Sequence, residues 1–160
     1  MKDFVLDASV SLGWLIEHPP SPYAGGVQQL MIDGGRPLVP VHWHLEVANA
    51  LLAAQRRKLL RRDLSEILAD IHALMPFIET DDLPDDIGTL VGLSQRHQLT
   101  AYDAAYTAVA ARRNVPLATQ DMAMISAARF FASTRTKKPS QRCSSRFSRA
   151  TSFPRLMPKC

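Results

Sequence analysis

Short apolar runs separated by long stretches of helical spacing constrain this chain more than any other feature. Phe4-Val5-Leu6, Leu38-Val39-Pro40-Val41, Phe77-Ile78-Glu79 and Leu117-Ala118-Thr119 have the length and composition of strands. Alternation of such runs with helices describes successive βα units, which build a largely parallel sheet with helices on its faces. Helices are predicted from Ser11 to Ile16, Tyr23 to Ile32, Leu45 to Lys58, Asp63 to about Met75, Asp86 to Arg96 and Ala101 to Arg113. A last helix begins over Met122 to Ala128. Pro19-Pro20 ends the first helix and Gly34-Gly35 the second. In the third, Leu45, Ala48, Leu51 and Leu52 share one side and predict its buried face. Pro40 suits an edge strand or a strand end. The third and fourth helices form a hairpin with Arg56, Arg57, Lys58, Arg61 and Arg62 at its tip.

A chain of 160 residues, 46% hydrophobic and with seven glycines, has the material for one domain with a substantial core. No apolar run approaches the ~20 residues needed to span a bilayer. Met1-Lys2-Asp3-Phe4 lacks the charged and apolar regions of a secretory signal. The expectation is a cytoplasmic protein with no membrane partner.

The net charge of +4 misleads unless it is divided. Residues 133–160 hold eight of the 19 basic residues and no acid, so residues 1–132 keep 11 basic against 15 acidic side chains, about −4. The basic total is therefore no argument for nucleic-acid binding by the folded part. Residues 1–132 form the expected domain. The segment 133–160, rich in Ser, Thr, Arg, Lys and Pro, reads as a disordered or non-native tail. Both cysteines, Cys143 and Cys160, fall in it and form no CxxC pair.

Chemistry-bearing residues gather where strands end. Asp7 closes the first strand, and Asp121 lies just past the fourth. Glu46 falls in the first turn after the second strand, and Asp103 opens a helix. Parallel strands would bring all four to one rim of the sheet, the edge where open α/β sheets bind ligands. Each acid also has a plain structural explanation as a helix cap or a first-turn charge. Convergence of four carboxylates, however, is repulsive unless a cation sits among them. An all-oxygen set suits Mg²⁺ or Mn²⁺, which can activate water and stabilise a leaving oxygen. Ser9, Asn49 and Thr119 are the polar neighbours able to hydrogen-bond these ligands. His42 and His44 form only an isolated HxH and read as surface or loop histidines, as do His18, His72 and His97. Tyr102 and Tyr106 flank Asp103 at helical spacing, which favours packing over base stacking.

Five stretches, in order, resemble the PIN-domain ribonuclease toxins of VapBC toxin–antitoxin systems. They are Val5-Leu6-Asp7-Ala8-Ser9-Val10, Val39-Pro40 to Trp43, Glu46-Val47-Ala48-Asn49-Ala50-Leu51, Leu99 to Tyr106, and Pro116-Leu117-Ala118-Thr119 with Asp121. The resemblance covers roughly residues 3 to 128. It implies a three-layer α/β/α PIN-like fold with a central parallel sheet of four to five strands. It also implies Mg²⁺- or Mn²⁺-dependent endonucleolytic cleavage of RNA, leaving 3′-hydroxyl and 5′-phosphate ends. Asp7, Glu46, Asp103 and Asp121 match the family's acidic quartet, with Asp7 and Asp103 as the central metal ligands. A homodimer and a cognate antitoxin protein that blocks the site are further implications. The end of the chain departs from the pattern. The family usually continues into a short apolar strand, whereas Phe130-Phe131 leads into the basic tail, as a lost reading frame would produce.

Two other phosphate chemistries fit less well. A haloacid-dehalogenase-type phosphotransferase would need Asp-x-Asp where this chain has Asp7-Ala8-Ser9. A response-regulator domain would need paired early acids and a late lysine. The alternative from a different class is a catalytically inactive PIN-like module that binds RNA or protein.

Overall fold

Most helices among the described residues start on a side-chain cap, and the helix starts carry the site. The structure, a computed structural model, describes residues 3–16, 19–81 and 86–135. Strand β1 (Asp3–Leu6) ends at Asp7, which caps helix α1 (Ala8–Leu15). Helix α2 (Pro22–Ile32) starts on a Ser21 side-chain cap with proline in its first turn. It ends at Gly34, whose φ of +90° is open to glycine at little cost. At Gly35 a Cβ would lie 2.7 Å from the Leu30 carbonyl oxygen, so the turn into the next strand also needs glycine there.

Strand β2 (Arg36–Pro40) follows, then helices α3 (Trp43–Arg56) and α4 (Leu64–Leu74), the latter capped by Asp63. Strand β3 (Glu79–Asp81), helices α5 (Ile87–His97) and α6 (Ala101–Arg113), strand β4 (Leu117–Ala118) and helix α7 (Met122–Arg135) complete the described chain. Left-handed Gln98 and Asn114 terminate α5 and α6, the asparagine being one of the residues that tolerate this conformation.

The four strands are all parallel, in the order β3-β2-β1-β4. The chain moves outward from β1 to β2 to β3, then crosses back to place β4 on the other side of β1. Right-handed crossovers put the helices of the outward leg on one face and those of the return leg on the other. The result is a mixed α/β fold with a parallel sheet, consistent with a three-layer α/β/α arrangement. Its core is built on Phe4, Val5, Leu6, Leu38 and Val39 of the central strands, which are covered by Val10, Trp14, Val47, Leu51, Tyr106 and Val109. No helix among the described residues is long and apolar enough to cross a membrane.

Several local expectations need correction. Phe77-Ile78-Glu79 is not a strand: Met75–Phe77 form a 3-10 turn containing Pro76, and β3 starts at Glu79. An apolar run was the wrong marker here because β3 is an edge strand held by charge. Asp81 is buried and paired with Arg112 at 2.9 Å and Arg113 at 2.6 Å. Strand β2 lies inside the sheet, and of the two placements expected for Pro40 the structure has the strand end. The buried face of α3 is Trp43, Val47, Leu51 and Ala54, while Leu45 is 68% exposed and Leu52 46% exposed. Two apolar stripes compete on that helix, and the tryptophan-led one docks. Helix α7, expected to begin over Met122 to Ala128, runs on through Arg135, with no Gly or Pro to interrupt it. The rest of the basic tail, with Cys143 and Cys160, lies outside the described residues, as does His18.

Candidate functional site

Topology creates the site. The return crossover makes the β1–β4 pair the point where strand order reverses, and ligands in open α/β sheets bind beyond the carboxyl ends of such a pair. The register Leu6↔Ala118 sets the residues that follow, Asp7 and Thr119, side by side. The Asp7 amide donates to the Ala118 carbonyl at 3.0 Å, extending the ladder one step past β1.

Asp7, Glu46, Asp103 and Asp121 line a single open cleft there, together with Ala8, Ser9, Leu12, Gln120 and Met124. All four acids stand at helix N-termini. Asp7 caps α1 through the Ser9 amide, Glu46 lies in the first turn of α3, and Asp103 closes a capping box with Thr100 at the start of α6. Asp121 accepts from the amides of Ala123 at 2.8 Å and Met124 at 2.9 Å, capping α7. Four helix dipoles therefore point their positive ends at the cleft and offset part of the carboxylate repulsion. No lysine or arginine among the described residues lines it.

Capping and clustering turn out to be compatible because a carboxylate has two oxygens. Asp103 uses Oδ2 for the Thr100 amide and hydroxyl, and Asp121 uses Oδ1 for the amides of α7. Glu46 uses Oε2 for the Tyr106 hydroxyl. The second oxygen of each has no hydrogen-bond donor among the described residues. Asp7 is different: buried, it accepts from the Ser9 hydroxyl at 2.6 Å and the Thr119 hydroxyl at 2.7 Å, both on Oδ2. Its orientation is thus held from two strands' ends at once.

Of the three polar neighbours singled out in the sequence, Ser9 and Thr119 bind Asp7. Asn49, one turn beyond Glu46, is exposed and bonds none of the acids among the described residues. Two residues missed in the sequence lie against Glu46. His42, read as a surface or loop histidine, is half-buried, with Nε2 3.8 Å from Glu46 Oε2. Its ring packs edge-on against Tyr106 and Tyr102, at centroid separations of 5.1 and 5.3 Å. Tyr106 is a core residue as expected, but Tyr102 is 60% exposed and is not packed away. The spacing of Asp103 and Tyr106, i and i+3 on α6, was the available signal for the tyrosine. For His42 the signal was its i, i+4 spacing from Glu46 at the start of α3. Burial, then the bond to Glu46 and the nearby carboxylates, raises the Tyr106 hydroxyl far above its ordinary range and keeps it a donor.

Among the described residues, no three His, Cys, Asp or Glu side chains are already gathered into a metal-holding group. The cleft acids line one space without closing on one point. As a donor set they nonetheless fit a hard divalent cation: oxygen only, one oxygen left on each of Glu46, Asp103 and Asp121, and room for the waters such ions retain. In the segment joining α3 to α4 and at its edges, Arg56, Arg57 and Lys58 are exposed, while Arg62 folds back onto Asp70 at 2.7 Å.

No protein-family model matches this sequence, and no curated protein matches it. Among solved structures, the crystal structure of PAE2754 from Pyrobaculum aerophilum matches with a TM-score of 0.60. The match covers 85% of this chain and 97% of that one at 17% identity. The likeness is one of fold. It extends over most of both chains, so the arrangement of sheet and helices recurs in an independent protein, with no bearing on what either one does.

Proposed function

We propose that this chain is a divalent-metal-dependent endoribonuclease with a PIN-like α/β/α domain, the toxin of a type II toxin–antitoxin pair. The observation that carries the reading is the cleft itself: four carboxylates from four helix N-termini, with no basic side chain among the described residues that line it. Helix capping explains each acid singly but gives no reason for all four to face one space. The five ordered sequence stretches supply the substrate class, RNA.

In this reading Asp7 and Asp103 would be the main ligands of the ion, with Glu46 and Asp121 completing the set. When bound, Mg²⁺ or Mn²⁺ supplies Lewis acidity toward a phosphate oxygen and lowers the pKa of the attacking water. Ser9 and Thr119 keep Asp7 in one orientation, and the capping bonds do the same for Asp103 and Asp121. Water attacks phosphorus, the P–O3′ bond breaks, and the products are a 3′-hydroxyl and a 5′-phosphate. The homodimer and the cognate antitoxin belong to the same proposal, and exposed Leu45 and Leu52 on α3 offer apolar surface for a protein partner.

RNA cleavage that requires Mg²⁺ or Mn²⁺, and that is lost in Asp7→Asn and in Asp103→Asn with the circular dichroism spectrum unchanged, is the expected result. Variants that cut as fast as the parent would overturn the assignment. One observation favours a second reading, a PIN-like module that binds RNA or protein without catalysis: no ready-made metal group exists among the described residues. RNA binding that is indifferent to metal, without strand scission, would select it.

A further inference from the structure

Tyr106 is fully buried, and a buried tyrosine needs a partner for its hydroxyl. The partner is Glu46, a cleft acid 60 residues away on another helix. On the same oxygen, Oε2, the His42 ring closes in at 3.8 Å, itself wedged against Tyr106 and Tyr102. Oε1 has no hydrogen-bond donor among the described residues. One end of the Glu46 carboxylate is thereby fixed and the other left available. A long, unbranched glutamate in a helix's first turn would otherwise sample several rotamers at the mouth of an open cleft.

We propose that Tyr106 is a positioning residue whose hydroxyl clamps Glu46 Oε2, presenting Oε1 to a divalent cation in the acidic cleft. This rests on the metal-site reading above and goes beyond it by assigning a role to a side chain outside the quartet. Helix α6 then serves the site twice from one face, contributing Asp103 as a ligand and Tyr106, one turn later, as the clamp for a ligand on α3.

Tyr106→Phe removes the hydroxyl and keeps the ring, so packing is retained. Calorimetric titration of Mn²⁺ into the RNA-free protein should show about 10- to 100-fold weaker binding, the usual effect of losing a bond that orients a metal ligand. In a Glu46→Ala background the same substitution should have no further effect, whereas a packing role would weaken binding in both backgrounds. If Tyr106→Phe does not fold, Glu46→Asp carries the test: it withdraws the carboxylate from the hydroxyl but keeps its charge, and a comparable weakening is expected. Unchanged Mn²⁺ affinity in Tyr106→Phe, or a loss that persists undiminished without Glu46, overturns the clamp and leaves the metal site standing. A parent protein that binds no Mn²⁺ overturns both.

Discussion

The hydroxyl of Thr119 donates to Asp7 Oδ2 at 2.7 Å, joining residues 112 positions apart at the ends of two neighbouring parallel strands. Asp7 is buried, so this bond and the one from Ser9 are its main compensation for leaving water. Thr119→Val keeps the shape and deletes the donor. It should lower stability by about 2 kcal/mol, the range for a hydrogen bond to a charged group. Urea unfolding measures it; a variant as stable as the parent would show that the bond adds nothing to the β1–β4 junction.

Asp121→Asn should change sign with conditions. Asparagine caps a helix about as well as aspartate, so α7 should keep its start. In chelator the variant should be as stable as the parent or more so, because one of four like charges is gone. In millimolar Mn²⁺ the parent should gain melting temperature by mass action, and the variant should gain less. Equal gains in both proteins would remove Asp121 from the ligand set.

The two stripes of α3 can be told apart by truncation. Leu51 is 3% exposed and packs in the core, so Leu51→Ala should lose about 3 kcal/mol. Leu52, its exposed neighbour, should lose under about 1 kcal/mol on the same change. Reversed magnitudes in chemical denaturation would mean that the other stripe faces the core.

At the opposite end of β1, Arg36 binds Asp3 through two hydrogen bonds of 2.9 and 2.8 Å. The guanidinium beside it lowers the Asp3 carboxyl below its ordinary 3.8. A depressed folded value means that the pair's contribution is present above pH 3.8 and disappears as pH falls through the lower value. Carbon NMR titration should show Asp3 returning toward 3.8 in Arg36→Met; an unmoved titration would show that Arg36 is not the cause.

Tyr106 should behave in the opposite sense at high pH. Burial and its bond to Glu46 raise its hydroxyl above the ordinary 10.0, so the neutral form is retained in the folded protein. Its contribution is complete below pH 10.0 and is lost as pH rises toward the raised value. Phenolate absorbance from Tyr106 should therefore appear only with unfolding. A component that titrates reversibly near pH 10 and vanishes in Tyr106→Phe would contradict this burial.

Much of the framework was legible because it is written in local signals. Apolar runs ending at Asp7 and Thr119, the helical spacing of residues 101–113, and the stops at Pro19-Pro20 and Gly34-Gly35 act within a turn or two of chain. The positions of the four acids after strands or at helix starts follow from the same signals. Strand β3 escaped because its anchor is the pairing of Asp81 with Arg112 and Arg113, some thirty residues away, not an apolar run.

The amino-acid order alone thus determined the alternation of strands and helices and put an acid at each of four helix N-termini. Only the tertiary structure decided that β4 pairs with β1 and not with β3, and that choice makes Asp7 and Thr119 neighbours and gathers the acids into one cleft. It also decided which stripe of α3 is buried, which tyrosine stays exposed, and that Tyr106 reaches Glu46. The physical reason is range. Caps, turns and periodicity are governed by neighbours along the chain, whereas strand order and side-chain partners follow from which apolar faces can be buried together, a competition settled only when the whole domain packs.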